Sequence, residues 1–215
     1  SPGLLERLAL HRRELRAWAL YDWANSAFVT TIVTAVFPIY YASVACAGLD
    51  PSTATLRFGL VSTVGLAIIA VSAPILGALA DAARLKKRLL ALFMVAGAGA
   101  VGMMFFIERG DWLLASALFI LANIGANGSF VFYDSLLPHV ARPREMDRIS
   151  TTAYALGYVG GGLLLALNLL WIQKPEWFGL PSGPALSATQ STLPSRLAFI
   201  SVAVFSLCVA RMDLW

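Results

Sequence analysis

Residues 56–80 read LRFGLVSTVGLAIIAVSAPILGALA, and residues 81–88 after them read DAARLKKR. The first stretch holds one charge, Arg57; the second holds five. A helix needs ~20 apolar residues to cross the ~30 Å of bilayer hydrocarbon. The abrupt change to charge marks where the chain leaves lipid for water. One such segment is enough to predict a membrane protein, and the same pattern recurs along the chain.

Apolar spans are predicted at residues 24–47, 56–80, 89–107, 112–137 and 150–172. A sixth, residues 197–210, is short, at about 21 Å for a rise of ~1.5 Å per residue. Composition agrees. Of 215 residues 59% are hydrophobic and 13% charged, and the mean hydropathy is +0.74. A water-soluble domain needs more charge than this to cover its surface. The expected fold class is therefore all-α, a polytopic membrane protein with six transmembrane helices. Residues 1–20 form a cytoplasmic amphipathic segment and residues 21–212 the six-helix bundle.

The links differ in charge. Arg7, Arg12, Arg13 and Arg16 precede the first span. Arg84, Lys86, Lys87 and Arg88 follow the second, Arg142, Arg144 and Arg148 follow the fourth, and Arg211 follows the sixth. That places twelve of the sixteen basic residues on one side, against Arg57, Arg109, Lys174 and Arg196 on the other. Positive charge collects on the cytoplasmic side, so both termini are expected there, in a bacterial inner membrane. The pI of 9.3 thus reflects topology and needs no nucleic-acid partner. The expected partner is the lipid bilayer.

Residues 4–19 alternate charge with Leu4, Leu8 and Leu15, which suits a helix on the membrane surface. They lack the apolar core of a signal peptide. Residues 173–195 contain Pro175, Pro181, Pro184 and Pro194 and are predicted to be an extended loop. Trp171, Trp177 and Phe178 fit an interfacial aromatic belt. Cys46 and Cys208 fall at opposite faces, which excludes a disulfide between them. Neither has a neighbour at metal-ligand spacing, and no cofactor is expected. His11 and His139 lack a paired nucleophile or metal cluster, which argues against an enzyme.

Polar residues inside hydrocarbon are costly and so point to function. Asp22, Ser26, Thr30 and Thr34 recur every four residues, a stripe that either lines a solute cavity or bonds its own helix. Asp22 and Asn25 favour the solute reading and the threonines the second. Asn123 and Asn127 stand one turn apart, facing protein or water, and either line a solute cavity or bond neighbouring helices as packing contacts. Asp134 is close in sequence to Arg142 and Arg144, and an ion pair is expected. Around Tyr158, Gly157 and Gly161 make a small-xxx-small pair for close helix contact, and Gly160-Gly161-Gly162 either packs or bends the helix. The candidate substrate residues are Asp22, Asn25, Ser26, Asn123, Asn127 and Tyr158. A candidate gating loop comprises Gly77, Asp81, Arg84, Lys86 and Lys87, with Gly77 admitting a close helix and the basic run holding the surface.

That loop, Gly77-Ala78-Leu79-Ala80-Asp81 followed by basic residues, resembles the signature of the major facilitator superfamily between its second and third helices. Tyr21-Asp22-Trp23-Ala24-Asn25-Ser26-Ala27-Phe28 is similar to the first-helix motif of the autophagy-related vacuolar effluxer-like family. Leu136-Leu137-Pro138 and Ala155-Leu156-Gly157-Tyr158-Val159-Gly160-Gly161-Gly162-Leu163 are similar to its fourth-to-fifth region. The resemblance covers roughly residues 15–205. It departs at Ala82, Ala83 and Arg84, where the superfamily has Arg and Gly. It implies the N-terminal half of a twelve-helix transporter, with amino acids the best-known solutes and Asp81 meeting the other half at a cytoplasmic gate.

Six helices supply one wall of such a cavity. Transport of a small solute would therefore need a second copy, in a homodimer, or a partner half. The shortened end would follow from a truncation, a frameshift or a dedicated half-size protein. The alternative is a non-transporting structural or accessory subunit of a larger membrane complex.

Overall fold

The computed structural model describes residues 10–83 and 85–213, together with Gly3, Glu6 and Leu8. Six helices are long and apolar enough to cross a membrane. They are α1 (Arg13–Ala45), α2 (Pro51–Ala83), α3 (Lys86–Met103), α4 (Trp112–Val140), α5 (Met146–Gln173) and α6 (Ala188–Asp213). Short 3-10 turns, Met104–Phe106 and Pro175–Phe178, follow α3 and α5. In lipid a helix satisfies its own backbone, so regular helix dominates.

Helix boundaries follow local chemistry. Asp50 precedes α2 and accepts the backbone N–H of Ser52 at 3.0 Å, while Pro51 takes the first helical position, where no N–H is needed. This starts α2 ahead of residue 56, where the apolar span was expected to begin. α6 likewise begins at Ala188, well before residue 197, and is not short: its span covers 24 residues. Ser187 Oγ accepts the N–H of Gln190 at 3.2 Å, and Gln190 Oε1 accepts the N–H of Ser187 at 3.0 Å. This reciprocal capping box starts the helix. Pro194 is carried inside α6, and its carbonyl accepts Trp171 Nε1 at 3.0 Å.

α1 begins at Arg13 and runs unbroken through the boundary expected at residue 20. Leu15, expected to face lipid, is instead fully buried with Trp18, Ile149 and Ala153. Leu4 and Arg7 of the expected surface helix lie outside the described residues. Further along, α1 widens into π-helix at Val29–Ala35 and again at Tyr41–Ala45. Between them stands Pro38, which has no backbone N–H to give.

α1 packs on α5 and α6, α3 on α4 and α6, and α2 mainly on α4. Two cores are stacked along α1. One gathers Phe37, Tyr41, Phe119 and Phe199, with the rings of Phe37 and Phe119 parallel at 5.0 Å. The other stacks Trp18 and Tyr21 on Tyr133, at 4.4 and 4.2 Å. α3 and α4 touch backbone to backbone at Gly97 and Gly125. At the end where α1 begins, Arg12 pairs with Glu145 at 3.0 Å. Cys46 and Cys208 are free thiols.

Burial is uneven. Half of the α4 span is buried, but only 6% of α2 and 22% of α5. Ser187→Ala is expected to fray the start of α6, costing ~0.5–2 kcal/mol. Hydrogen–deuterium exchange should then rise at residues 188–191 and stay unchanged at residues 198–206; unaltered exchange at the helix start would refute the capping box.

Candidate functional site

Between the two cores α1 and α4 expose amides to one another. Asn25, Asn123 and Asn127 line a cavity of about 220 Å³ with Phe28, Leu66 and Phe130. On α1, Asn25 falls between Ala24 of one core and Phe28 of the other. On α4, the asparagines fall between Ala122 and Phe132. The aromatic clusters thus close the bundle on both sides and leave the amides in the middle. Asn123 Nδ2 donates to the Phe119 carbonyl and Asn127 Nδ2 to the Asn123 carbonyl, each at 3.0 Å. These bonds stay within α4, and among the described residues neither asparagine bonds a neighbouring helix. An amide offers two N–H donors and an oxygen acceptor, so one such bond leaves capacity for a solute. Beneath Asn25 a smaller void of about 30 Å³ is lined by Tyr21, Ser129 and Ser206.

Asp22 and Ser26 lie apart from this cavity, at the seam between α1 and α5. Asp22 is 2% exposed, and its Oδ2 has no hydrogen-bond partner among the described residues. The seam is tight because α5 presents glycine to it. A Cβ on Gly157 would collide with Asp22 Oδ2 and lie 2.7 Å from Ser26 Oγ. One on Gly160 would collide with the Trp23 indole, and one on Gly161 would lie 2.9 Å from the Ser26 backbone. The Asp22-Trp23-Ala24-Asn25-Ser26 motif and the glycines of α5 are therefore two sides of one contact. α5 is continuous through these glycines, so they serve packing and introduce no break.

The polar stripe ends early. Thr30 Oγ1 donates to the Ser26 carbonyl at 2.9 Å and contacts the Gly161 carbonyl at 3.3 Å. Thr34 is exposed and donates to the Val29 carbonyl at 2.9 Å, five residues back. The π segment shifts the register there and turns Thr34 away from the line of Asp22 and Ser26. Both hydroxyls bond their own helix, as expected for the threonines.

Tyr158 is 73% exposed and takes no part in the cavity. Asp134 is exposed, and the ion pair seen at this end joins Arg12 to Glu145 rather than Asp134 to Arg142 or Arg144. At the expected gating loop, Gly77 has nothing within 4 Å of where its Cβ would be, so no described helix approaches it. Arg84 and the side chain of Asp81 lie outside the described residues. Lys86 is half-buried at the start of α3 and Lys87 is exposed. Trp18 and Tyr133, missed in the sequence, stack on each other, and Tyr133 packs on Phe130 of the cavity wall. Their signal was aromatic spacing: Trp18 and Tyr21, like Phe130 and Tyr133, stand three apart on one helical face.

The family model described as "Vacuole effluxer Atg22 like" matches residues 52–210. The chain belongs to this family. The match spans α2 to α6, so the first-helix motif lies outside it. An uncharacterized MFS-type transporter, YxiO of Bacillus subtilis (strain 168), is 34% identical over 158 residues, which is 73% of this chain. The chain spans 37% of that relative's length. No solved structure matches. The chain is thus an integral membrane protein of an MFS-type transporter family.

If the α1–α5 seam rests on glycine, Gly160→Ala must force the Trp23 ring aside, at a cost of ~1–3 kcal/mol. Gly162→Ala, with open space at its Cβ, should be neutral or stabilising by up to ~1 kcal/mol through helix propensity. Thermal unfolding of both variants in detergent checks this, and equal melting temperatures would rule out the seam.

Proposed function

We propose that this chain is one half of a secondary transporter of the major facilitator type, moving a small polar solute together with a second copy or a partner half. The observation that carries this reading is the amide layer: Asn25, Asn123 and Asn127 around a cavity at mid-bundle. Polar groups held inside hydrocarbon and left with bonding capacity can replace a solute's water shell. Tyr158, on the outer face of α5, is a further candidate for contact with solute or partner, while Asp22 and Ser26 would act through the α1–α5 seam that positions Asn25. The resemblance to effluxers makes amino acids the first solutes to test.

The partner half would meet α2 and α5, the two spans with the smallest buried share. Asp81, Arg84, Lys86 and Lys87, between the end of α2 and the start of α3 in sequence, would then stand at the cytoplasmic gate. The antiparallel order brings the start of α1 and the end of α6 to the same side. The charge bias favours a cytoplasmic location for that side, in a bacterial inner membrane.

Reconstitution into proteoliposomes and counterflow of radiolabelled amino acids tests the reading. Uptake is expected, with Asn123→Ala/Asn127→Ala lowering the initial rate on the order of ten-fold or more through loss of hydrogen bonds to solute. Absence of uptake, with the chain eluting among unrelated membrane subunits, would favour the accessory role instead. Uptake indifferent to the double substitution would remove the amide layer from the pathway.

A further inference from the structure

A second cavity, of about 260 Å³, opens at the opposite end of the bundle from the basic loops. It is lined by Ser43 at the end of α1, Glu108 and Arg109 between α3 and α4, and Ser191, Thr192 and Arg196 on α6. Arg196 is its distinctive feature. The residue is only 6% exposed, yet among the described residues it has no carboxylate partner. Its Nε donates to the Phe105 carbonyl, and its guanidinium stacks 4.5 Å from the centre of the Phe105 ring. These contacts hold the side chain flat and use one of its five N–H donors.

A buried guanidinium is costly unless an anion meets it. The terminal nitrogens of Arg196 are not among the buried polar atoms without a partner, which leaves them at the surface of the cavity. Hydroxyls of Ser43, Ser191 and Thr192 stand in the same wall. Arg57, at the same end, differs in kind: its guanidinium lies over Trp112 at 4.0 Å and one of its nitrogens is sealed from solvent.

We propose that this cavity is a binding site for a singly charged oxyanion, held by the Arg196 guanidinium. A carboxylate or a phosphodiester matches the planar fork of arginine; the three hydroxyls donate to carbonyls of their own helices, which leaves the guanidinium as the donor to the anion. The charged residues in the wall are two arginines and Glu108, with Asp111 just outside it, bonded to the Glu108 N–H at 2.9 Å; one negative charge matches the buried guanidinium of Arg196. The volume lies below the ~300–1,000 Å³ of drug-sized pockets, so the ligand is a small anion or the headgroup of a lipid. The site is separate from the amide layer and does not depend on transport.

The full chain, purified in a maltoside detergent that carries neither phosphate nor carboxylate, is titrated by calorimetry in two arms. One arm uses sodium acetate and the other dioctanoyl phosphatidylglycerol. Saturable one-site binding is expected in at least one arm, and the arm that responds names the source. Arg196→Gln should weaken it by about ten-fold or more, and Arg109→Gln by a few-fold, as charge-assisted bonds and positive charge are lost. Glu108→Gln should strengthen it. Arg109 and Glu108 are exposed, so these variants decide the matter even if Arg196→Gln fails to fold. No saturable binding in either arm, or affinities unmoved by Arg109→Gln and Glu108→Gln, would overturn the proposal.

Discussion

Hydrocarbon gives an apolar side chain no reason to leave it, so helices in a bilayer hold together where their backbones can come close. In this bundle that closeness is supplied by glycine. Gly97 meets Gly125 between α3 and α4, and Gly157, Gly160 and Gly161 meet Asp22, Trp23 and Ser26 between α5 and α1. Everything else is arranged around these contacts. With α5 tight against α1, Asp22 is sealed in the seam, which leaves the next polar residue, Asn25, to face the cavity beside α4.

Aromatic side chains then divide the interior by depth. The Trp18, Tyr21 and Tyr133 stack closes one end of the bundle and the Phe37, Phe119 and Phe199 cluster the other. Rings are large and rigid, and they fill the interior on either side of the amide layer. Asn25, Asn123 and Asn127 lie in the layer between, while Asn168 is buried between α5 and α6, its Oδ1 accepting from Ser201 at 3.0 Å. The π segment of α1 runs along that layer, with Val29 and Val33 in the cavity wall. Its wider turn re-aims side chains without breaking the helix. Outside the aromatic cluster, Arg196 builds a separate polar chamber against Phe105.

The six spans were legible because hydrocarbon selects on length and apolarity, which are properties of a linear string. Cruder estimates failed at the ends. α6 was judged short because Pro194 and its polar neighbours suggest a loop, although Ser187-Ala188-Thr189-Gln190 already spelled a capping box. Asp50-Pro51 likewise announced α2 ahead of its apolar run. Both are local signals, carried by residues adjacent in sequence.

Positions within the bundle were a different matter. Helical periodicity grouped Asp22 with Thr34 on one face, but a π segment between them changes the register, and no count of residues shows where that happens. Asn123 and Asn127 were marked as inward-facing on polarity alone; that Asn25 shares their cavity, while Tyr158 points away and Asp22 belongs to the seam, was decided by packing. The chain's own residues determined that six of its described helices are long and apolar enough to cross a membrane and which of its residues are too polar for lipid. Which polar residues meet one another, and which face the empty space between helices, depended on how closely backbones approach. That distance is fixed by side chains from segments far apart in sequence, so only the tertiary structure contains it.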